Sequence, residues 1–399
     1  MMILTALLLG LAAQDGDLAS RLKSAYTEAA DGLVRLQMPS GAWPVVMPDR
    51  QVPSVAYTAI TVTALARAPE PLRARYATSV AKGIEFILSK ANLDGSFGEG
   101  DSGSYMKTYA TAVALSALST VDRTERVGDA IRGAQAYLKR NQLKEGPHRG
   151  GMGYGDEEPR RNPDTGAFEV RRSTRANLSA TAAVAEAMKD SGLSLSDEFW
   201  PLINEFVRKC QNNSEVNTDP LFLAALKEKG MSVGNDGSLY YTPEADGSVQ
   251  KAGTRKIADK ETIVGYGSMT YDGIKTYLYA GLRRDSPEVK SAVDWIRRNY
   301  AIDAHPGFAF NQGQRHHLRG LYYYYLVMAR ALDAAGERPL VTSDGRERDW
   351  PAELGEQLLK TMRDGKGWQN DNPAWYEGDA VLVTGYVLNV LDTLLRYVR

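Results

Sequence analysis

A helical repeat limits what this chain can fold into more than any other feature of its sequence. Within residues 76–120, Val80, Ile84 and Ile87 form one apolar stripe, and a turn containing Gly95-Ser96-Phe97 leads to the segment KTYATAVALSALST, which is apolar almost all the way round. A helix with one apolar stripe lies on a surface, whereas a helix that is apolar on every side is buried. The pattern therefore predicts an outer helix, a glycine-aromatic turn and an inner helix, a unit that must repeat to bury its own surface.

Similar units follow one another along the whole chain. The turn glycines Gly41, Gly95 and Gly151 are separated by 54 and then 56 residues, and Gly307 and Gly367 by 60. This spacing predicts six helical hairpins. The predicted inner helices span 54–67, 107–120, 177–188, 269–282, 318–335 and 380–397.

The apolar inner helices also predict how the hairpins are arranged. An open array would leave its last inner helix facing water, so we predict an all-α fold, a closed α/α toroid with inner and outer rings of helices. The toroid is expected to form a single domain over 17–399. The fourth hairpin carries an insertion at 231–267, in which the segments SLYYT and SVQKAG can pair as a small β-hairpin.

The composition excludes several classes of function. The 48 Lys and Arg residues balance 49 Asp and Glu residues, so the chain has no general attraction for nucleic acid or for anionic membranes. Cys210 is the only cysteine, and therefore neither an intrachain disulfide nor a thiolate zinc cluster can form. We expect no cofactor, no metal and no nucleic-acid partner. The sequence does not indicate an oligomeric state.

The first residues, MMILTALLLGLAAQ, resemble a short secretory signal. They form an apolar run that ends in small residues and is too short to span a bilayer, although no Lys or Arg precedes it. We therefore expect residues 1–14 to be a signal peptide, the protein to be periplasmic or secreted, and no membrane span to remain after its removal. The alternative is a helix or anchor that is retained.

The glycine-aromatic turns carry a family resemblance. Gly41-Ala42-Trp43, Gly95-Ser96-Phe97 and Gly367-Trp368 each follow an amphipathic helix, and Gln37 precedes the first of them with the spacing Q-x3-G-x-W. These turns resemble the repeat signature of squalene–hopene cyclases and protein prenyltransferase β-subunits. The resemblance extends over nearly all of residues 17–399 and implies the α/α toroid fold with an apolar, isoprenoid or lipid ligand.

The chain departs from that family in its chemical signatures. The Asp-x-Asp-Asp motif that supplies the acid of the cyclases is absent, and Tyr271-Asp272-Gly273 is the nearest counterpart by position. Aligning the repeats places Arg319, Leu321 and Val383 where the prenyltransferases hold zinc, and none of the three can serve as a ligand in that geometry. The resemblance therefore implies an architecture without either known chemistry.

The repeat predicts where a site would lie. All inner helices follow their turns in the same direction, so their amino-terminal ends should open at one mouth, where the helix dipoles favour an anion. Asp272 is the first candidate for a catalytic acid and Asp379 the second; as alternatives, Asp272 is a carboxylate at a helix start and Asp379 an N-cap. The candidate substrate-binding residues at the same level are Tyr57, Tyr109, Asn177, His316, His317, Arg319 and Tyr322.

Two sets of aromatic residues each have two interpretations. Four tyrosines, 322–325, cover every face of their helix, so they either stabilise a carbocation in the lumen or pack with their hydroxyls satisfied. A second set follows the turn glycines and is expected to wedge between hairpins rather than to bind sugar. Its members are Trp43, Phe97, Phe308 and Trp368.

Three functions remain open from the sequence. The first is an exported terpene-cyclase-like barrel that binds an apolar molecule, with acid-initiated cyclisation, an isomerase or lyase reaction, at Asp272. The second is a non-catalytic binding or scaffold protein that grips a partner with the mouth and the insertion. The third is a glycan-active enzyme, for which Asp101, Asp156, Asp272 and Glu377 supply carboxylates although no spacing selects a pair. The sequence does not decide whether the protein is an enzyme.

Overall fold

The structure is a computed structural model that describes residues 2–98, 106–155, 157–161, 168–257, 259–308, 315–364 and 366–398. For residues 2–16, 157–161 and 168–172 it describes the backbone alone.

The predicted alternation of outer and inner helices is confirmed along the described chain. The outer helices are α1 (Met2–Arg35), α3 (Leu72–Ser89), α5 (Glu125–Asn141), α7 (Phe199–Lys209), α10 (Pro287–Arg298) and α12 (Trp350–Thr361). The inner helices are α2 (Val55–Ala66), α4 (Lys107–Leu118), α6 (Leu178–Asp190), α9 (Gly267–Tyr279), α11 (Leu321–Ala335) and α13 (Ala380–Leu394). One further helix, α8 (Pro220–Glu228), follows α7.

In the part of the chain that the structure describes, four short antiparallel hairpins lie in the connections between helices. They pair β1 (Trp43–Val46) with β2 (Gln51–Ser54), β3 (Glu157–Arg161) with β4 (Phe168–Arg172), β5 (Thr254–Ile257) with β6 (Lys260–Ile263) and β7 (Leu340–Val341) with β8 (Glu347–Arg348). The hairpin predicted between SLYYT and SVQKAG is wrong, since the insertion instead pairs β5 with β6. The first of those segments serves as a repeat turn, in which Tyr240 is buried and donates its backbone N–H to the Cys210 carbonyl at 3.0 Å.

The difference between outer and inner helices follows from their apolar patterns. Helix α5 buries five of its 17 residues, all on one stripe, whereas α2 buries ten of its 12. An amphipathic helix can cover a core with one face only, while α2 must be surrounded.

A threonine in the inner helix holds the preceding turn. Thr58 Oγ1 accepts the Trp43 backbone N–H at 2.9 Å and donates to the Ser54 carbonyl at 2.6 Å. The same bond from a turn N–H to a threonine hydroxyl joins Phe97 to Thr111, Met152 to Thr181, Leu239 to Thr270 and Trp368 to Thr384, at 2.9–3.1 Å. The fifth hairpin differs, because Tyr324 takes the threonine's place as fourth residue of its inner helix.

The turn glycines let each turn approach the next outer helix. Gly41 has a φ of 87°, and a Cβ on it would lie 2.2 Å from the carbonyl oxygen of Lys82 in α3. The third turn uses Gly150 rather than the predicted Gly151, since Gly150 has the positive φ and would meet the Leu202 carbonyl at 1.9 Å. Because these contacts are backbone to backbone, a side chain at these positions has no room.

The wedge interpretation of the turn aromatics is confirmed for three of the four. Trp43, Phe97 and Trp368 are buried, and the two indole N–H groups donate to helix carbonyls at 2.7 and 2.8 Å. Phe308 is only half-buried and has other neighbours, described below.

The chain packs as two compact units. The first comprises Met1–Gly83 with Arg297–Arg399, and the second Ile84–Ile296. In the first unit, inner helix α13 packs against both α2 and α11; in the second, α6 packs against both α4 and α9. The predicted single-domain boundary and the cleavage of residues 1–14 stay predictions. None of the described helices has the length and hydropathy needed to cross a membrane.

Candidate functional site

Asp272 lies in the second unit, in the second turn of α9, and is fully buried. The prediction that it lies in the first turn is wrong, because α9 begins at Gly267, where Thr270 can clamp the preceding turn. Asp272 is therefore out of reach of the free amides that would stabilise a carboxylate at a helix start.

The carboxylate of Asp272 belongs to a buried ion cluster. Its Oδ1 lies 3.0 Å from Nζ of Lys275, which also donates to Oε2 of Glu186 on α6 at 2.7 Å. Two carboxylates thus share one ammonium, and the cluster links α9 to α6. An acid that protonates an alkene has to be neutral beforehand, whereas a neighbouring ammonium favours the ionised form. In this geometry Asp272 is an ion-pair partner of Lys275.

Asn177 and Tyr109 also lie in the second unit, near the start of their helices. Asn177 is the N-cap of α6, and its Oδ1 accepts the Ala180 N–H at 2.9 Å. Tyr109 is half-buried, donates its backbone N–H to the Tyr154 carbonyl at 3.0 Å, and packs edge-to-face against that tyrosine. The amide oxygen of Asn177 is thus used within the protein.

In the first unit, Tyr57 and Asp379 come together. Asp379 is the N-cap of α13: its carboxylate accepts the Val381 N–H at 2.8 Å and the Val46 N–H of β1 at 3.1 Å. The hydroxyl of Tyr57, in the first turn of α2, lies beside that carboxylate; burial and the Asp379 charge raise the pKa of Tyr57 far above its ordinary value. Tyr57 is therefore a neutral hydroxyl.

Glu377 caps α11, another inner helix of the first unit. Helix α11 follows Gly320, which has no side chain to cap it, and the buried Glu377 carboxylate accepts the N–H groups of Tyr322 at 3.2 Å and Tyr323 at 2.7 Å. Asn370 donates to the same carboxylate at 2.5 Å. Burial raises the pKa of Glu377 from 4.5 to about 7, although these hydrogen bonds act to lower it.

Arg319 lies just before Gly320 in the chain and packs against two aromatic rings whose centres are 5.9 Å apart. The guanidinium carbon is 5.1 Å from the ring centre of Trp375 and 5.9 Å from that of Phe308. No carboxylate of the described residues is within ion-pair distance of Arg319, and its buried Nε has no hydrogen-bond partner among them. The two rings thus contact the cation from one side.

The neighbouring backbone is shaped around Trp375. This residue and Tyr376 both have positive φ angles, 58° and 65°, which are unusual for aromatic residues. Gly320 also has a positive φ of 64°, and a Cβ on it would lie 2.1 Å from the Trp375 ring. Strain concentrated in one loop is typical of binding sites, where the surrounding structure holds it in place.

His316 and His317 form a short 3₁₀ turn just before Arg319 and are half-buried. The loop that carries Glu377 is hydrogen-bonded to this turn, since the Asn370 side chain donates to the Leu318 carbonyl at 2.7 Å. In the same loop, Asp371 forms ion pairs with both Arg315 and Arg363.

The packing interpretation is confirmed for two of the four tyrosines. The Tyr324 hydroxyl donates to the Ala301 carbonyl at 2.8 Å, and the Tyr325 hydroxyl to a neighbouring backbone carbonyl. Tyr322, predicted to bind substrate, has its hydroxyl bonded to Thr361 of α12. Tyr323 is half-buried and faces Tyr386 of α13.

His305 is a buried part of this site that sequence reasoning missed. Its ring stacks on Tyr324 with 4.8 Å between centroids, and its Nδ1–H donates to the Arg319 carbonyl at 2.6 Å. Burial lowers the pKa of His305 to about 3, so the imidazole is neutral. The ring thus fixes the backbone of Arg319 without adding charge.

Comparison with solved structures decides the fold. The type II terpene cyclase MstE from Scytonema, in complex with merosterolic acid A, matches at a TM-score of 0.55 and 14% identity, covering 95% of this chain and 99% of that one. A family 76 glycoside hydrolase from a bovine Bacteroides thetaiotaomicron strain matches at 0.56 and 8%, covering 94% and 78%. An α-1,6-mannanase of Salegentibacter, in complex with α-1,6-mannotriose, matches at 0.54 and 11%, covering 96% and 99%.

The chain has the α/α toroid fold. This confirms the predicted fold class, whereas membership in the squalene–hopene cyclase and prenyltransferase family is not shown. No family model matches the chain, and no curated protein sequence does. At these identities the likeness establishes the architecture alone.

The predicted site residues are divided between the two units. Asp272, Asn177 and Tyr109 belong to the second unit. The residues at or near the amino-terminal ends of the inner helices of the first unit are Tyr57, His316, His317, Arg319, Tyr322 and Asp379, of which Tyr57 and Asp379 come together. Asp101 and Asp156, considered for a glycan site, lie outside the described residues. The assignment of any of these side chains to a ligand stays a prediction.

Proposed function

We propose that the protein binds an isoprenoid or a related apolar lipid along its inner helices, and that the polar groups at the amino-terminal ends of α2, α11 and α13 bind the polar end of that molecule. One observation carries the proposal. Helices α2, α13 and α11 pack side by side and bury most of their residues, and Tyr57, Asp379 and Arg319 lie at or next to their amino-terminal ends.

The chemistry of these groups suits a long amphiphilic molecule. Most buried side chains of α11 and α13 are aliphatic or aromatic, and transfer of an isoprenoid chain from water to an apolar surface is favourable by about 25 cal/mol per Å². A neutral hydroxyl at Tyr57 and the guanidinium of Arg319 can orient the head group by hydrogen bonds.

The solved structures support this class of ligand by analogy only. MstE is a terpene cyclase that was observed with a geranylgeranyl substrate as well as with its product. Acid-initiated cyclisation at Asp272 is not part of our proposal, because Lys275 pairs with that carboxylate at 3.0 Å. We therefore propose binding as the function, without turnover at Asp272.

Mass spectrometry of the purified, denatured protein tests the proposal. The expected result is a co-purifying isoprenoid or lipid and, after delipidation, saturable binding of geranylgeraniol detected by tryptophan fluorescence. Tyr57→Ala should weaken this binding, while Tyr300→Phe, which changes a tyrosine bonded to Glu353, serves as a control. Absence of both a lipid and geranylgeraniol binding would contradict the proposal.

A glycan-active enzyme is the second candidate, because two family 76 glycosidases match the chain at TM-scores of 0.56 and 0.54. The mannanase bound to mannotriose is an inactive variant with two adjacent aspartates changed to asparagine. This chain has no Asp-Asp pair, and Glu377 and Asp379 are both engaged as helix caps. Binding or cleavage of α-1,6-mannotriose, with no binding of geranylgeraniol, would favour this candidate.

A further inference from the structure

We propose that Arg319 is the receptor for an oxyanion, a carboxylate or phosphate group, at the end of the bound molecule. The inference rests on the proposed function, and it specifies the charge of the ligand. It assigns the head-group site to one guanidinium and the two rings that hold it.

The placement of the Arg319 side chain leaves its donors available. Trp375 and Phe308 both pack on one side of the guanidinium, since their ring centres are themselves 5.9 Å apart, and neither ring provides a hydrogen-bond acceptor for its N–H groups. That edge has no carboxylate within ion-pair distance among the described residues, although it is half-buried. A planar edge of N–H donors matches the two oxygens of a carboxylate or phosphate.

The backbone around Arg319 is fixed on both sides. His305 donates to its carbonyl at 2.6 Å, and the next residue, Gly320, is held against the Trp375 ring in a conformation that a side chain would prevent. The guanidinium is therefore presented by a rigid segment rather than by a flexible surface chain. Preorganisation of this kind lowers the entropy lost when a ligand is bound.

The local charge is also favourable for an anion. Arg315, four residues before Arg319 in the chain, shares one counterion, Asp371, with Arg363, so this group of side chains carries net positive charge. The Glu377 carboxylate is occupied by Asn370 and the amides of α11. In sequence, residues 309–314 contain no acidic side chain that could neutralise the cluster.

Calorimetric titration of the full chain with three probes tests the inference. The probes are geranylgeranyl diphosphate, geranylgeraniol and inorganic pyrophosphate, and the variants are Arg319→Gln, Arg319→Lys and a control, Arg346→Gln, in which an exposed arginine paired with Asp344 is changed. We expect the wild type to bind the diphosphate at least about tenfold more tightly than the alcohol. Arg319→Gln should abolish this difference and leave the affinity for geranylgeraniol within about twofold.

The outcomes separate the site from the function. If the difference in affinity between the diphosphate and the alcohol survives in Arg319→Gln, the inference is overturned. It is also overturned if this variant loses affinity equally for both ligands. If the wild type binds pyrophosphate through Arg319 but does not bind geranylgeraniol, the oxyanion site stands and the proposed function fails. If the wild type binds geranylgeraniol and the diphosphate equally, the inference fails and the proposed function stands. Should Arg319→Gln melt early, Arg319→Lys replaces it: the loss of the planar donor edge should reduce the preference for the diphosphate, while the retained charge keeps part of it, and an unchanged preference would count against the inference.

Discussion

Substitution of Glu377 by glutamine should remove a measurable part of the pH dependence of stability. The carboxylate is 1% exposed, and burial raises its pKa from 4.5 to about 7. Because the folded-state pKa is the higher one, the folded protein holds an extra proton between these two pH values. The free energy of unfolding contributed by Glu377 is therefore fully present below pH 4.5 and is lost as the pH rises through about 7.

The size of the effect follows from the shift. Each pKa unit corresponds to about 1.36 kcal/mol, so a rise from 4.5 to about 7 is worth roughly 3 kcal/mol. Glutamine has nearly the same shape, keeps one acceptor oxygen for the α11 amides and cannot ionise. The stability of Glu377→Gln relative to the wild type should therefore increase by about 3 kcal/mol between pH 4 and pH 8.

Urea unfolding followed by far-UV circular dichroism at several pH values measures this difference. Glu347→Gln, which changes an exposed carboxylate on β8, is the matched control and should track the wild type. A constant difference between Glu377→Gln and the wild type from pH 4 to pH 8 would refute the reasoning, since it would mean that Glu377 has the same proton affinity in both states.

Four further predictions concern other parts of the protein. Lys275→Met should lower the free energy of unfolding by about 3–5 kcal/mol, because two buried carboxylates lose their shared ammonium; a loss below 1 kcal/mol in a urea titration would argue against the cluster. Gly320→Ala should lower the free energy of unfolding by about 1–3 kcal/mol, because its Cβ would meet the Trp375 ring. An unchanged melting temperature would contradict that packing. Thr58→Val should cost about 1–3 kcal/mol by removing two hydrogen bonds of the first turn, whereas Thr27→Val, at an exposed hydroxyl, should cost less. Removal of residues 1–14 on export should be visible by amino-terminal sequencing of the mature protein, and an intact Met1 would contradict it.

The helices were predictable because their signal is local. Apolar residues repeat with the helical period, so the predicted inner helix 107–120 agrees with α4 (Lys107–Leu118) within two residues. The fourth turn was missed because Gly237-Ser238-Leu239 has no aromatic residue, although its glycine packs on the next outer helix like Gly41. A pattern defined by Trp and Phe cannot detect a turn whose wedge is a leucine.

The site was less predictable because its contacts join residues far apart in the chain. The N-cap role of Asp379 could be inferred from its place before an apolar run, and the structure confirms it. Lys275 lies three residues after Asp272, so that ion pair also had a local signal. The capping of α11 by Glu377 had none, because Gly320 and Glu377 belong to different hairpins.

Photo-crosslinking with a benzophenone-bearing geranylgeranyl probe, followed by peptide mapping, would locate the bound ligand. Our proposal predicts labelling within Val55–Ala66, Leu321–Ala335 and Ala380–Leu394, and loss of that labelling in the presence of excess geranylgeraniol. Labelling confined to outer helices such as α12, or labelling that geranylgeraniol does not displace, would contradict it.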